Sequence, residues 1–350
     1  MTASTTAAPA IRRWLFACCA MIFAMAIIGA ITRLTESGLA IVEWAPITGT
    51  LPPLNESDWH KAFAAYQQIP QYKLLNTGMT LDAFKTIYFW EWLHRLWGRL
   101  IGLVYALPFF WFLARRQIPP GYHAKLWLGL VLGGLQGAVG WYMVASGLSQ
   151  LVYVSHYRLA LHLGLALVIY AYLLWLAFTL KPDAMTQRPY SRHGWLALAC
   201  VAITIIWGAF VAGLKAGWVY NTFPLMDGAL IPDAAWTLEP LWQNFFANTA
   251  LVQFTHRSLG MLTGIVIWAW CWRLWRQGSG NKTTLALACM TALQIGLGIA
   301  TLLSQVHIIL GTLHQAGAIV VLTLLLQKIY SLRHAKCPTE RLHPTQNQLA

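Results

Sequence analysis

The chain has 350 residues, of which 58% are hydrophobic and only 10% are charged. A water-soluble protein of this length needs a charged surface, so the composition excludes an ordinary soluble domain and indicates a lipid environment. The formal net charge of +13 suggests a nucleic-acid partner, but the basic residues lie beside apolar segments, where they set membrane topology. No nucleic-acid partner is therefore expected.

Segments of roughly 20 apolar residues, the length that a helix needs to cross a bilayer, follow one another along the chain. They predict an all-α integral membrane protein of about eight transmembrane helices, near residues 14–31, 96–114, 126–145, 159–180, 194–214, 258–272, 283–303 and 308–327. The second and sixth segments look short because Arg95, Arg99 and Arg257 lie near their starts.

The distribution of charge predicts how these helices are oriented. Basic residues precede the first segment, lie in the connections after the second, fourth and sixth, and follow the eighth, where they include Lys328 and Arg333. The long connections 34–86 and 214–253 carry most of the acidic residues. Because Lys and Arg are enriched in cytoplasmic connections, both termini are expected in the cytoplasm and the long connections on the outer side.

The first segment follows Arg12 and Arg13, as the apolar core of a secretory signal does. Its apolar run is longer than the roughly 7–15 residues of such a core, so we interpret it as a retained membrane anchor. No Arg- and Ser-rich amphipathic extension precedes it. A bacterial inner membrane is therefore expected rather than an organelle.

The sequence also contains an internal duplication, which pairs His94 with His256 and His162 with His314. The matching segments occur in the same order in both parts: EWLHRLWGRLIGLVY (91–105) with QFTHRSLGMLTGIVI (253–267), LQGAVGWYMV (135–144) with LQIGLGIATL (293–302), and HYRLALHLGLALVIY (156–170) with HIILGTLHQAGAIVVL (307–322). The duplication predicts two halves, residues 1–185 and 186–350, with four spans each. An even number of spans gives both halves one orientation, so two tandem, pseudo-symmetric four-helix bundles are expected.

These four histidines lie in or beside the apolar segments, toward the outer side. Ionisable residues at membrane depth are costly and usually functional, although a single one is often explained by an interhelical or headgroup hydrogen bond. In an up-down bundle the second and fourth helices are diagonal, so a histidine on each faces the other across the core. That arrangement suits bis-imidazole ligation of haem iron, once in each half. His156 and His307, which are also repeat-related, stay open as alternatives to His162 and His314.

The two halves differ beside the first histidine of each pair. Glu91 lies three residues before His94, on the same helical face, whereas the equivalent residue of the second half is Gln253. A carboxylate can transfer a proton and an amide cannot. Chemistry is therefore assigned to the first half, with Glu91 as catalytic residue, and electron transfer to the second. The structural alternative is that Glu91 only forms an ion pair with Arg95 or Arg99.

Arg95 directly follows His94 and has two interpretations of its own. A guanidinium at the membrane interface can pair with a propionate of a bound haem, because the two groups form charge-assisted hydrogen bonds. It can equally extend toward a lipid phosphate. Both interpretations remain open at this point.

Several of these segments together resemble the haem A synthase family, in the form found in mitochondria and alphaproteobacteria. They are GAITRLTESGLAIVEWAPITGTLPP, EWLHR at 91–95, YRLALHL at 157–163, FTHR at 254–257 and GTLHQ at 311–315. The resemblance implies an enzyme that oxidises the C8 methyl group of haem O to a formyl group by successive hydroxylations, giving haem A for cytochrome oxidase assembly. It also implies a haem b cofactor on His256 and His314, and the substrate haem on His94 and His162, with Glu91 as the functional carboxylate.

Haem O synthase is an expected partner, together with the lipid bilayer and an electron donor that the sequence does not identify. Some bacterial members of the family carry a cysteine pair in the first outer connection. Residues 34–86 of this chain contain no cysteine, so a thiol step is not expected.

Two other classes of protein explain part of the pattern. A di-haem b electron-transfer protein, linked to quinol, explains the four histidines but not the difference between Glu91 and Gln253. It should also place its haems near opposite membrane faces, whereas all four histidines are predicted on the outer side. A duplicated transporter predicts helices broken by Gly or Pro around a midplane site, whereas glycines within a span more often permit close helix packing.

Overall fold

The computed structural model describes residues 7–44, 48–149, 153–180 and 192–333, and their regular structure is helical. In chain order the α-helices are α1 (Ala8–Leu34), α2 (Glu56–Tyr66), α3 (Pro70–Leu75), α4 (Leu81–Ala114), α5 (His123–Ser149), α6 (His156–Thr179), α7 (Arg192–Gly213), α8 (Asn244–Ala247), α9 (Thr249–Arg276), α10 (Lys282–Leu303) and α11 (Ile308–Arg333). Helices suit a lipid environment because each satisfies its backbone hydrogen bonds internally.

Seven helices within the described residues are long and apolar enough to cross a membrane: α1, α4, α5, α6, α7, α10 and α11. The chain is therefore a multi-span membrane protein. The sixth predicted span, near residues 258–272, corresponds to α9, which has 28 residues but is not among the seven, since Arg257, Arg273 and Arg276 lower its hydropathy.

Two predicted spans began too late. Helix α4 starts at Leu81 rather than near residue 96, because the Thr80 side chain accepts a hydrogen bond from Ala83 N at 3.2 Å and caps the helix there. Helix α9 starts at Thr249 rather than near residue 258, because Asn248 Oδ1 caps the helix by accepting from Ala250 N and Leu251 N. The arginines that shortened both predictions therefore lie inside helices rather than before them.

The last helix continues beyond the predicted span, which ended near residue 327. Lys328, which the sequence analysis places after that span, lies within α11 and is buried. Its Nζ donates to Ser279 O at 2.8 Å and to Asn281 Oδ1 at 3.3 Å, at the start of α10. Arg333 is the last residue of α11, and the boundary between the predicted halves, at residues 185 and 186, lies outside the described residues.

The long helices pack in a regular order. Helix α1 contacts α4 and α6, and α5 contacts the same two helices; α7 contacts α9 and α11, and α10 contacts the same two. Helices α6 and α7, α1 and α11, and α6 and α11 join these two groups. This order of contacts places α4 and α6, and likewise α9 and α11, diagonally in their groups. Buried apolar side chains from all eight long helices of the two groups form one continuous core.

The first long connection folds onto the start of α4. Tyr66 and Ile69, around the end of α2, are buried against Leu39, Ala40 and Phe84. The connection thereby holds the segment that follows α1 close to α4.

The helices α1 and α7 end in the same way. Glu36 and Lys215, just beyond them, both adopt a left-handed backbone conformation with φ of 55°, and their side chains form an ion pair with each other. Near by, the Arg33 guanidinium donates to the Ala212 carbonyl. Equivalent ends of the two repeats are therefore tied together.

Candidate haem sites

The second half brings two of the predicted histidines face to face. His256 on α9 and His314 on α11 have ring centres 6.4 Å apart, with the ring planes 88° to each other. Both residues are half-buried.

This spacing fits a shared iron ion. An imidazole nitrogen binds a transition metal at roughly 2 Å, and the ring centre lies about another 1 Å behind that nitrogen. Two imidazoles on opposite sides of one iron therefore have ring centres roughly 6 Å apart. No carboxylate is part of the pair, which suits haem iron better than a hard cation. The donor set thus fits a bis-histidine haem.

The first half brings its two histidines together in the corresponding place. His94 on α4 and His162 on α6 are both half-buried. Since α4 and α6 are diagonal in their group, the two histidines lie on helices that face each other across its interior.

Each of the four imidazoles packs against a glycine of a neighbouring helix. A Cβ atom placed on the glycine would lie within 3.1 Å of the histidine Cε1 in all four cases: Gly29 with His94 (3.1 Å), Gly140 with His162 (2.9 Å), Gly208 with His256 (2.9 Å) and Gly298 with His314 (2.8 Å). Any larger residue would push the ring away. The glycines therefore leave the space that each imidazole occupies and so determine its position.

A glutamine four residues before two of these glycines holds the second histidine of each pair. Gln136 Nε2 donates to His162 O at 3.0 Å and lies 3.2 Å from His162 Nδ1. Gln294 Nε2 donates to His314 O at 2.8 Å and lies 3.1 Å from His314 Nδ1. The spacing Gln-x-x-x-Gly on α5 and α10 thus places the glutamine amide and the glycine one helical turn apart on the same face of the helix. Both face the histidine.

The Glu91 carboxylate is buried, with 3% of its surface exposed, and both oxygens accept hydrogen bonds. Oε2 accepts from Ile41 N at 2.8 Å, and Oε1 accepts from Arg95 Nη2 at 2.7 Å and Nε at 3.1 Å. Arg95 also donates to Ile41 O and Glu43 O. The ion pair that the sequence left open between Glu91 and Arg95 is present, and together the two residues hold the segment after α1 against α4.

The second half repeats this contact with different chemistry. Gln253 Nε2 donates to Ala216 O at 2.7 Å and to Tyr220 O at 3.1 Å. Gln253 Oε1 accepts from Arg257 Nη2 at 3.0 Å, and Arg257 donates to Tyr220 O and Thr222 O. The connection presents carbonyl groups here, which require a donor, whereas it presents the N–H of Ile41 to Glu91. The Glu-to-Gln difference therefore matches the backbone that each residue meets.

The alternative histidines lie elsewhere. His156, at the start of α6, packs against Tyr157 and Phe210, with ring centres 3.9 Å and 5.8 Å away. His307 is exposed before α11.

Sequence reasoning missed the glycines and gave Gln136 and Gln294 no role beyond marking the repeat. The signal was present, because LQGAVG and LQIGLG share the Gln-x-x-x-Gly spacing, and Gly-Ala recurs at 29–30 and 208–209. To interpret this spacing as a contact with a histidine, one must know which helix packs against α1, α5, α7 and α10.

Comparison with known proteins identifies the family of the chain. The family of cytochrome oxidase assembly proteins matches residues 12–326. A haem A synthase from Rhodospirillum centenum is 53% identical over 344 residues, covering 96% of this chain and 92% of that protein. Haem A synthases from Rhodopseudomonas palustris (51% over 332 residues, 90% and 86%) and Nitrosomonas eutropha (48% over 321 residues, 89% and 90%) are also similar. The resemblance predicted from the motifs is confirmed, and the chain belongs to the haem A synthase family of cytochrome oxidase assembly proteins.

Proposed function

We propose that this chain is a membrane oxidoreductase that converts haem O to haem A for cytochrome oxidase assembly. The conversion turns the C8 methyl group of the substrate into a formyl group, by successive hydroxylations. Family membership supports the reaction. The observation that carries the proposal is the facing pair of imidazoles in one half, 6.4 Å between ring centres, repeated as His94 and His162 in the other.

His256 and His314 are proposed to hold a resident haem b. Their separation fits axial ligation of one iron, and Thr204 O accepts from His256 Nδ1 at 3.1 Å. That bond leaves the lone pair of Nε2 free to face the partner ring. A haem held there supplies one-electron transfer.

His94 and His162 are proposed to bind the substrate haem. Arg95 is the candidate partner for one of its propionates, since a guanidinium and a carboxylate form charge-assisted hydrogen bonds. The bonds from Arg95 to Ile41 O and Glu43 O place this cation beside the connection that covers the start of α4.

Glu91 is proposed as the carboxylate of the substrate half. It is one turn before His94 on α4, and the pair it forms with Arg95 keeps it buried. A carboxylate there can hold or release a proton during oxidation. It also accepts a hydrogen bond from Ile41 N, which holds the segment after α1 against α4.

The halves, residues 1–185 and 186–350, are proposed to form two pseudo-symmetric four-helix bundles, with α9 as the eighth span. Support comes from the order of helix contacts.

The bacterial relatives and the charge distribution support an inner-membrane location, with both termini cytoplasmic and the haem sites toward the outer side. Haem O synthase and an external electron donor are the proposed partners.

The test is to produce the chain with haem O synthase in a bacterium that makes no haem A, and to separate the extracted haems by chromatography. Haem A is expected with the wild-type chain and not with a His94→Ala variant, whose haem b absorbance reports that it has folded. If only haem B and unchanged haem O accumulate with the wild-type chain, the enzymatic proposal is wrong. A di-haem b electron-transfer protein would then explain the paired histidines better.

A further inference from the structure

The four imidazoles differ in the hydrogen-bond partner of their ring nitrogen Nδ1. A histidine that binds a metal is normally oriented through its second ring nitrogen, which donates to a carbonyl or carboxylate group and makes the ligand more basic. His256 is held in this way by Thr204 O. The Nδ1 atoms of His162 and His314 have the side-chain amides of Gln136 and Gln294 as partners, with the amide nitrogens 3.2 Å and 3.1 Å away.

His94 is the exception. Its Nδ1 is buried and has no hydrogen-bond partner among the residues that the structure describes. The ring nevertheless packs on Gly29 as His256 packs on Gly208, so it stands in the equivalent place. What differs is the hydrogen bond of Nδ1. His256 Nδ1 donates to the carbonyl group of Thr204, which lies one turn before Gly208 on α7. His94 Nδ1 has no such bond in the described part of the chain.

We propose that His94 is the exchangeable ligand of the substrate iron and that His162 is the permanent one. This inference rests on the proposed function, because it takes the first half as the site of the substrate haem. A resident cofactor benefits from two firmly oriented ligands, as His256 and His314 are. A substrate must enter and must leave as product, so one weak ligand lowers the barrier to both steps.

The expected difference in ligand strength follows from what such a hydrogen bond contributes in other metal sites. Loss of a partner of this kind typically costs roughly 10–100-fold in metal affinity. The His94–iron bond is therefore expected to be weaker than the His256–iron bond by about that factor. Exogenous ligands should consequently compete for the iron at the His94 side first.

The experiment uses the full chain, purified in detergent from cells that also make haem O synthase, with CO as the probe. After reduction, CO is expected to bind the haem O and haem A of the sample and to leave haem b unchanged. Absorbance difference spectra give the amount of CO bound, and chromatography gives the amount of each haem.

Two variants separate the ligands. His94→Ala, which is expected to make no haem A, should keep most of its bound haem O and bind CO faster than the wild type. His162→Ala is expected to lose these haems by roughly tenfold or more. Both should keep the haem b spectrum, which reports that the second half has folded.

Three outcomes overturn the inference: equal loss of substrate haem in the two variants, CO binding to haem b as fast as to haem O, or a haem O that is inert to CO. In each case the proposed function survives, because haem O is still bound. If the wild-type chain binds no haem O at all, the assignment of the substrate site falls, and the inference falls with it.

Discussion

Replacing Gly298 by alanine tests whether the glycines determine the positions of the ligands. The new Cβ would lie 2.8 Å from His314 Cε1, whereas carbon atoms in favourable contact are roughly 3.5–4.0 Å apart. The imidazole must therefore move by about 0.7 Å or more. Its distance from His256 is set by two bonds of roughly 2 Å to the iron, so little freedom remains.

Overpacking of this kind typically costs about 1–3 kcal/mol. If that cost falls on the form with bound haem, the affinity for haem b drops by roughly 5–150-fold. A strained or longer iron–nitrogen bond should also convert part of the haem from low spin to high spin. Absorption spectroscopy measures the spin state, and transfer of haem to apomyoglobin measures retention.

Gly296 on the same helix provides the control. An alanine Cβ at this position meets nothing within 4 Å in the described part of the chain, so Gly296→Ala should keep the wild-type spectrum. Gly140→Ala and Gly137→Ala form the same pair in the first half, where Gly140 faces His162 at 2.9 Å and Gly137 is open among the described residues. If Gly298→Ala behaves like Gly296→Ala, the glycine contact does not position the ligand.

Three further experiments test individual contacts. Glu91→Gln removes the charge and keeps one oxygen as acceptor in place of two, so haem A formation measured by chromatography should fall by roughly 100-fold or more, with the haem b spectrum unchanged; normal activity would leave Glu91 only a structural role. Gln294→Leu removes the amide from His314 and should weaken haem b binding by roughly 10–100-fold, and unchanged transfer to apomyoglobin would contradict this. A double-mutant cycle on Glu36 and Lys215 should give a coupling of about 0.3–1 kcal/mol in thermal unfolding, and additive effects would mean that the pair contributes nothing.

The sequence could predict the features that depend on local spacing. Apolar length and the position of basic residues indicated a membrane protein of many spans, and seven such helices are present in the described residues. The duplication identified the four histidines, because a repeat preserves the spacing of equivalent residues within each half. Boundaries were less accurate, since Thr80 and Asn248 start their helices where the apolar content is still low.

The surroundings of those histidines depended on the tertiary structure. His256 Nδ1 meets the carbonyl group of Thr204, 52 residues away, and Glu91 meets the N–H of Ile41, 50 residues away. No local pattern predicts such pairs, because they depend on how each helix is rotated and at what height it packs against its neighbour. The repeat therefore singled out the four histidines, whereas helix packing decided that three of their Nδ1 atoms have a hydrogen-bond partner and that His94 Nδ1 has none in the described part of the chain.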